Sequence, residues 1–325
     1  MGGDFAPKNV ILGAVEALRQ TNNRFEMLFV GTESILREEL NRIQHQGLSY
    51  RVINATQVID MQDGATVALK QKKDSSISVG ISLQKEGNAE AFVSAGHTGA
   101  VMSASTLILG RINGVSRPTI GTFMPSETGA CLVLDAGANV DCKPQHLYEF
   151  AVMGSIYVKT MLHIDNPSVG LLSIGEEPSK GNELTLEAHR LLSNSHLNFI
   201  GNIEGRDILK GKANVVVCDG FVGNVVLKFA ESILDVLKIK FRKHAGENIF
   251  RKLWVGMMYG TLKKVLKDFD YQEYGGVPLL GVNGISIIGH GKSTPRAIKN
   301  MILRAEEMVR RNINQHIQEA LIASK

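Results

Sequence analysis

Short apolar runs that end in glycine-containing turns recur along the chain, and this alternation is the strongest constraint on its fold. Most of the turns precede a stretch in which apolar residues have helical spacing. The runs predicted as strands are 25–30, 50–54, 91–95, 131–135, 169–174, 198–203, 214–219 and 285–289. The predicted helices are 10–19, 35–44, 145–161, 184–192, 225–242 and 295–315. This order predicts a three-layer α/β fold around a mostly parallel, doubly wound sheet.

The composition fits one large domain. Of the 325 residues 44% are hydrophobic, and no low-complexity stretch marks a linker, so 1–325 is treated as a single domain. The net charge of +4 is too weak to indicate binding to nucleic acid. The three cysteines have neither a disulfide pattern nor metal-ligand spacing, which favours a reducing cytoplasm and no metal. The sequence contains no signal pattern and no apolar run long enough to span a bilayer.

The start of the chain departs from the alternation. Met1-Gly2-Gly3-Asp4 stands directly before the first predicted helix, with no strand ahead of it. We expect from this a strand–helix unit that lacks its strand.

Five of the turns share a pattern that suits an anionic ligand. They are Ser94–Ala100, Asp135–Asp141, Gly175–Thr185, Asp219–Asn224 and Gly289–Ser293. Glycine lets backbone N–H groups face a ligand, and a helix N-terminus adds about half a positive charge. One such turn alone is more often structural. Because ligands of doubly wound sheets bind beyond the carboxyl ends of the strands, the five together predict a site for phosphate or carboxylate.

Familiar nucleotide and hydrolase motifs do not occur. The sequence has no G-x-G-x-x-G, no H-E-x-x-H and no G-x-S-x-G. Residues 289–294 imitate a phosphate-binding loop, but Ser286 stands where that motif requires glycine.

Four polar side chains in the turns are candidates for the chemistry, and each also has a structural interpretation. Lys180, just before a predicted helix, is either a solvated lysine or a clamp for phosphate or an oxyanion. Asn224 is either a helix cap or a hydrogen-bond donor to a ligand. His290 lies between two glycines, which favours a ligand-facing position, and His97 is a weaker candidate of the same kind.

The turns together resemble the bacterial phosphate acyltransferase family PlsX. The matching segments are 1–7, 73–76, 94–100, 110–112, 117–118, 134–141, 180–185, 219–224, 274–276 and 290–291. They run in the family's order from residue 1 almost to the C-terminus. The sequence departs from the family in lacking a short strand before Met1 and in having His97 where the family has asparagine.

The resemblance implies a fold like that of isocitrate and isopropylmalate dehydrogenases, and acyl transfer without a cofactor. Inorganic phosphate would attack the thioester of a long-chain acyl group on acyl carrier protein, giving acyl phosphate for phospholipid synthesis and a downstream glycerol-phosphate acyltransferase. The implied catalytic residues are Lys180, Asn224 and His290. The implied phosphate- and substrate-binding residues are Asp4, Ser75, Ser76, Gly96, His97, Thr98, Gly99, Asn139, Asn182, Asp219 and Gly223.

A basic amphipathic stretch covers 249–269 and contains the only tryptophan. Gly260 is expected to divide it into a protruding helical hairpin within segment 225–270. The pattern alone favours a core or dimer helix, whereas the resemblance implies a homodimer that lies peripherally on an anionic membrane. The residues predicted to face the membrane are Phe250, Leu253, Trp254, Met257 and Met258.

Two other functions stay open at this point. One is a phosphate acetyl- or butyryltransferase that uses a coenzyme A thioester. The other is a non-catalytic scaffold for lipid-synthesis enzymes, which the missing strand would suit. Arg111, Arg117, Arg242 and Lys243 could receive an acidic carrier protein, but a solvated surface explains them equally well.

Overall fold

A computed structural model describes residues 1–246, 257, 260–261 and 275–323. The strands are β1 (Met27–Gly31), β2 (Tyr50–Asn54), β3 (Ala91–Ser94), β4 (Thr119–Ile120), β5 (Thr122–Ser126), β6 (Gly129–Leu134), β7 (Ser168–Leu172), β8 (Asn198–Ile203), β9 (Val215–Val217), β10 (Val277–Leu280) and β11 (Ile285–Ile288).

The helices alternate with these strands over much of the chain. They are α1 (Lys8–Gln20), α2 (Glu33–Asn41), α3 (Ala65–Gln71), α4 (Ser76–Lys85), α5 (Thr98–Ala104), α6 (Pro144–Leu162), α7 (Glu183–Ser193), α8 (Gly205–Lys210), α9 (Gly220–Gly246), α10 (Pro295–Arg310) and α11 (Ile313–Ala323). A π-helical turn, Ser105–Leu109, continues α5. Within the described residues, no helix has both the length and the hydropathy needed to cross a bilayer.

The described strands form three sheets rather than the single sheet predicted, whereas the predicted α/β class is confirmed. β1 and β2 pair in parallel, a four-stranded sheet has the order β3-β11-β10-β4, and a five-stranded sheet has the order β5-β6-β9-β7-β8. Five strand pairs are parallel, but β5–β6, β10–β11 and β10–β4 are antiparallel. Two hairpins therefore introduce antiparallel strands that the alternation of strands and helices did not reveal.

The chain crosses between the two larger sheets at Gly121. β4 belongs to the four-stranded sheet, and β5 follows after this single residue in the five-stranded sheet. The Gly121 N–H donates to the carbonyl of Pro278 at 3.2 Å, which holds the crossing point against β10. The two sheets are thereby joined at adjacent edges.

Helix α6 lies in the main hydrophobic core. Phe150, Met153 and Tyr157 are fully buried there, together with residues of β6, β9 and α10. Gly154 lets the helix approach the sheet closely, since a Cβ at this position would lie 2.6 Å from Leu134 Cδ1. The residues of this helix are apolar on several sides because sheets and helices cover it on several sides.

The helix predicted at 295–315 is two helices. Thr294 caps the first and Pro295 begins it, as expected of a helix N-terminus. The chain turns at Asn312, whose φ of 49° is left-handed, and α11 follows. Asparagine adopts this conformation more readily than most residues, which is the local signal that the apolar periodicity obscured.

Candidate functional site

The turns after β6, β9 and β7 lie side by side at one edge of the five-stranded sheet. β9 pairs in parallel with both β6 and β7, so these three strands end at the same edge. In the four-stranded sheet β3 and β11 also pair in parallel, and the turns after Ser94 and Ile288 are neighbours. The five turns singled out in the sequence thus fall into two groups.

Asp135 follows β6 directly, and its buried carboxylate organises the turn after it. Oδ1 accepts the N–H groups of Gly137 and Ala138 at 3.1 and 2.9 Å, and Oδ2 accepts that of Asn139 at 2.7 Å. The Asn139 amide donates both to Oδ2 and to the Pro118 carbonyl, each at 2.7 Å. Burial raises the pKa of Asp135, and the donors around it oppose that rise. These three backbone N–H groups therefore donate to a carboxylate, and phosphate binding by Asn139 stays a prediction.

Helix α9 begins in close contact with this turn. The Gly220 N–H donates to the carbonyl of Asn139 at 2.7 Å. One helical turn later, a Cβ on Gly223 would overlap the carbonyl oxygen of Asp135. Glycine is required at Gly223 because two backbone segments meet there.

The polar residues at the start of α9 have different surroundings. Asp219 accepts the N–H of Val222 at 2.9 Å and so caps the helix. Asn224 is exposed at the rim of the Asp135 turn, and its Oδ1 lies 3.4 Å from the position that a Cβ on Gly137 would take. Its role as a donor to substrate stays a prediction.

Lys180 lies in the loop after β7, with a fixed backbone and an exposed side chain. Its N–H donates to the carbonyl of Glu177 at 3.0 Å, and its carbonyl accepts the Ser173 hydroxyl at 3.0 Å. Asn182 follows as the cap of α7 and accepts the Thr185 N–H at 2.9 Å. The ammonium of Lys180 is thus presented near the start of α7, whereas the Asn182 side chain is engaged in the helix.

The second group of turns surrounds the first residues of the chain. A Cβ on Gly3 would lie 2.6 Å from the carbonyl of Ala95, and the Asp4 N–H donates to the carbonyl of Gly291 at 3.0 Å. Asp4 itself is exposed. His290 is also exposed, and its Nδ1 accepts the N–H of Lys292 at 3.1 Å. The structure therefore brings Asp4 and His290 to neighbouring positions beside β3.

His97 caps α5 and fastens a neighbouring loop to it. Nδ1 accepts the N–H of Ala100 at 3.2 Å, so Nε2 carries the proton that it donates to the carbonyl of Asp63 at 2.9 Å. Both ring nitrogens are engaged, while Thr98 and Gly99 form the first turn of α5. The Gly96 N–H donates to the Ser94 hydroxyl at 3.2 Å.

Ser75 and Ser76 are both buried at the start of α4. The Ser75 hydroxyl accepts the N–H of Ser78 at 3.3 Å and donates to the Ser78 hydroxyl at 2.9 Å. This is the geometry of a helix cap. Binding of phosphate by either serine stays a prediction.

The two groups of turns share a hydrophobic cluster. Ala136 and Ala138, from the Asp135 turn, and Leu227 of α9 pack in one cluster with Ala100 and Val101 of α5. The Asp135 turn and the start of α5 therefore lie on two sides of one small core. Within the described residues, no cluster of His, Cys, Asp and Glu is suited to holding a metal ion.

Sequence reasoning missed the structural roles of two buried carboxylates. Asp135 ends an apolar run at the start of a predicted turn, and Glu149 lies within the largely apolar pattern of α6. Glu149 accepts the N–H and hydroxyl of Ser116 at 2.7 and 2.8 Å. In the sequence, the only indication of the role of Asp135 is its position directly after a buried strand. Nothing in the sequence indicates the role of Glu149.

The predicted membrane-facing residues fall almost entirely outside the described part of the chain. Phe250, Leu253, Trp254 and Met258 belong to that undescribed part. Met257 is helical and 77% exposed.

The chain is similar in sequence to phosphate acyltransferases over nearly its whole length. The family described as "Fatty acid synthesis protein" matches residues 1–316. The phosphate acyltransferase of Halothermothrix orenii is 50% identical over 319 residues, which cover 96% of this chain and 94% of the relative. That of Desulforudis audaxviator is 47% identical over 313 residues, covering 96% and 92%.

The fold is similar to that of a solved phosphotransacetylase. The EutD phosphotransacetylase from Staphylococcus aureus superposes with a TM-score of 0.58 at 16% sequence identity, covering 93% of this chain and 92% of that one. At this identity the likeness concerns the mixed α/β fold alone.

Proposed function

The chain belongs to the phosphate acyltransferase family, and we propose that it transfers a long-chain acyl group from acyl carrier protein to inorganic phosphate. The observation that carries the proposal is the near-complete match to relatives of that name, which spans both groups of turns. The geometry agrees with it, since helix N-termini and exposed polar side chains follow the carboxyl ends of neighbouring parallel strands in both larger sheets.

The reaction needs phosphate held near a thioester carbonyl and donors for the developing oxyanion. A phosphate oxygen attacks the carbonyl carbon, the C–S bond breaks, and the carrier thiol leaves with a proton. Lys180 and Asn224 are proposed as the charged and neutral donors to the oxyanion. His290 is proposed to position phosphate or to move the proton.

An enzyme thiol is not needed for this transfer. Burial raises the pKa of Cys142, the cysteine beside the Asp135 turn, to about 12, so it is a neutral thiol at physiological pH. A direct attack by phosphate fits this environment better than an acyl-cysteine intermediate.

The proposal is tested by trapping acyl phosphate with hydroxylamine. Palmitoyl carrier protein, palmitoyl coenzyme A and acetyl coenzyme A are offered in parallel with inorganic phosphate. Product from the carrier-protein thioester alone supports the proposal, whereas product only from a coenzyme A thioester makes the chain a phosphate acetyl- or butyryltransferase. If the folded chain forms no product from any donor, the non-catalytic scaffold for lipid-synthesis enzymes is the remaining function.

The same assay tests the residue assignments. Lys180→Ala is expected to lower kcat at saturating phosphate by about a hundredfold, as loss of an oxyanion donor does. Full activity of Lys180→Ala would remove it from the mechanism. Lys210→Ala, which removes an exposed lysine at the end of α8, is the matched control and is expected to be active.

We also propose a homodimer at the surface of an anionic membrane. Several side chains of α9 support the dimer because they are apolar and at least half exposed: Phe221, Val225, Phe229, Val236 and Ile239. Exposed Met257 in the basic amphipathic stretch supports the membrane contact.

Light scattering and liposome co-sedimentation test these two proposals together. We expect a mass of twice 35.4 kDa, and binding to anionic vesicles that Trp254→Glu/Met257→Glu abolishes while the dimer persists. A monomer contradicts the dimer, and unchanged vesicle binding by the double variant contradicts the membrane assignment.

Three further expectations stay parts of this proposal: the resemblance to the isocitrate and isopropylmalate dehydrogenase fold, the helical hairpin within 225–270 and the single domain over 1–325.

A further inference from the structure

The loop from Gly110 to Pro118 is fixed at both ends beside the Asp135 turn. At its start, the Ile112 N–H donates to the carbonyl of Gly281 at 3.0 Å, and the carbonyl of Arg111 accepts the Asn283 amide at 2.9 Å. At its end, the carbonyl of Pro118 accepts the amide of Asn139, the residue that also binds Asp135. This end of the loop is therefore hydrogen-bonded to the turn.

A buried carboxylate fixes the loop two residues before its end. Glu149, which is 2% exposed, accepts the N–H and hydroxyl of Ser116 and the amide of Gln145. A buried carboxylate without such donors would be costly, so the position of Ser116 is strongly determined. Arg117 stands between Ser116 and Pro118, two residues that are both anchored.

The Arg117 side chain is exposed, one residue before Pro118, whose carbonyl accepts the Asn139 amide of the Asp135 turn. Burial raises the pKa of Cys142, and the Arg117 charge opposes that rise. Cys142 donates its S–H to the carbonyl of Asn139 at 3.5 Å, so this thiol lies beside the Asp135 turn. In the described part of the chain, the Arg117 guanidinium has no hydrogen bond or ion pair, whereas that of Arg111 donates to the carbonyl of Ser116.

The Asp135 turn needs an external cation to hold a phosphoryl group. Its N–H groups at Gly137, Ala138 and Asn139 already donate to Asp135, and this carboxylate would repel an anion. A guanidinium presents several N–H groups in a plane and binds phosphate oxygens in pairs. Arg117 has the charge, the exposure and the fixed backbone for this contact.

We propose that Arg117 binds the phosphoryl group of a substrate at the Asp135 turn, an inference that rests on the proposed function. Two sources have this chemistry: inorganic phosphate, and the phosphodiester of the arm that joins the acyl group to its carrier. In either case the guanidinium donates to phosphoryl oxygens at the rim where Asn224 is exposed.

Steady-state kinetics of Arg117→Gln and Arg117→Lys test the inference and separate the sources. Arg117→Gln is expected to raise one KM by about tenfold or more, and Arg117→Lys, which keeps the charge without the paired donors, to raise it less. A raised KM for phosphate identifies inorganic phosphate as the ligand, and a raised KM for acyl carrier protein identifies the phosphodiester. Both KM values within twofold of wild type would overturn the proposal, whatever happens to kcat.

Arg37→Gln is the control for loss of an exposed arginine. Arg37 lies on α2, outside both groups of turns, and its guanidinium pairs with Glu33 of the same helix, so both KM values should stay within twofold of wild type. Thermal unfolding of each variant confirms that the loop change leaves the fold intact.

The anchoring by Glu149 gives a second measurement. Glu149→Gln should raise the same KM by a smaller factor, because Ser116 is held less firmly. In that background Arg117→Gln should have a smaller effect than in wild type. Calorimetric titrations of wild type and Arg117→Gln with inorganic phosphate and with acyl carrier protein keep the inference testable if the wild type transfers no acyl group. In that case, equal binding of both ligands by the two proteins overturns it.

Discussion

At the scale of single residues, helix caps and ligand-binding residues have the same chemistry. Ser75, His97 and Asn182 were all expected to contact substrate, and each uses its acceptor on the first turn of a helix. Both tasks require a short side chain with a lone pair at a strand-to-helix turn. The sequence therefore locates such residues without deciding between the two uses, whereas Lys180 and Asn224, which are not helix caps, stay candidates for substrate contact.

The three cysteines are expected to be unreactive in the folded protein. Burial raises the pKa of Cys131 and Cys142 to about 12 and raises that of Cys218 well above its ordinary value. A thiol of pKa 12 has about one thiolate in ten thousand molecules at pH 8, and the thiolate is the reactive form.

A colorimetric disulfide reagent at pH 8 measures this directly. We expect no rapidly reacting thiol in the native protein and three after unfolding in urea. One native thiol that reacts at the rate of free cysteine would contradict the buried environment described for it.

At the scale of elements, glycine marked the right turns, but not always for the expected reason. Gly220 and Gly223 were associated with a ligand that approaches the start of α9. The structure instead has the backbone of the Asp135 turn at that place, since a Cβ on Gly220 would lie 2.6 Å from the carbonyl of Asn139. A position that requires glycine indicates that other atoms come close to its backbone, but it does not show whether they belong to a ligand or to the protein.

Gly223→Ala is therefore expected to displace α9 from the Asp135 turn. The overlap with the Asp135 carbonyl should lower the free energy of unfolding by about 1–3 kcal/mol and reduce acyl phosphate formation. Urea denaturation and the hydroxylamine assay measure the two effects.

Gly205→Ala is the matched control for this change. Gly205 lies in the first turn of α8, as Gly223 lies in the first turn of α9, but no atom lies within 4 Å of its added Cβ. The free energy of unfolding of Gly205→Ala should therefore be unchanged or slightly higher than that of wild type. Wild-type stability and activity in Gly223→Ala would contradict the close contact.

At the scale of the whole molecule, local patterns predicted the strands but not their partners. All eight predicted strands overlap observed ones, because each is a dense β-branched or aliphatic run. β4, β5 and β10 were missed: they are short or include proline, and long-range pairing defines them. The turns of the site were predictable because local sequence patterns mark them. The use of their N–H groups by Asp135 was not, because it is a feature of the folded turn.

The pairing of β3 with β11 has a consequence for synthesis on the ribosome. Strand β3 (Ala91–Ser94) cannot pair until β11 (Ile285–Ile288) has been synthesised. All strands of the five-stranded sheet, in contrast, lie between Thr122 and Val217. At ordinary elongation rates the interval between Ser94 and Ile285 lasts roughly ten to forty seconds. We expect the five-stranded sheet to form on the nascent chain before the four-stranded one, leaving the edge of β3 as the segment that most depends on chaperones.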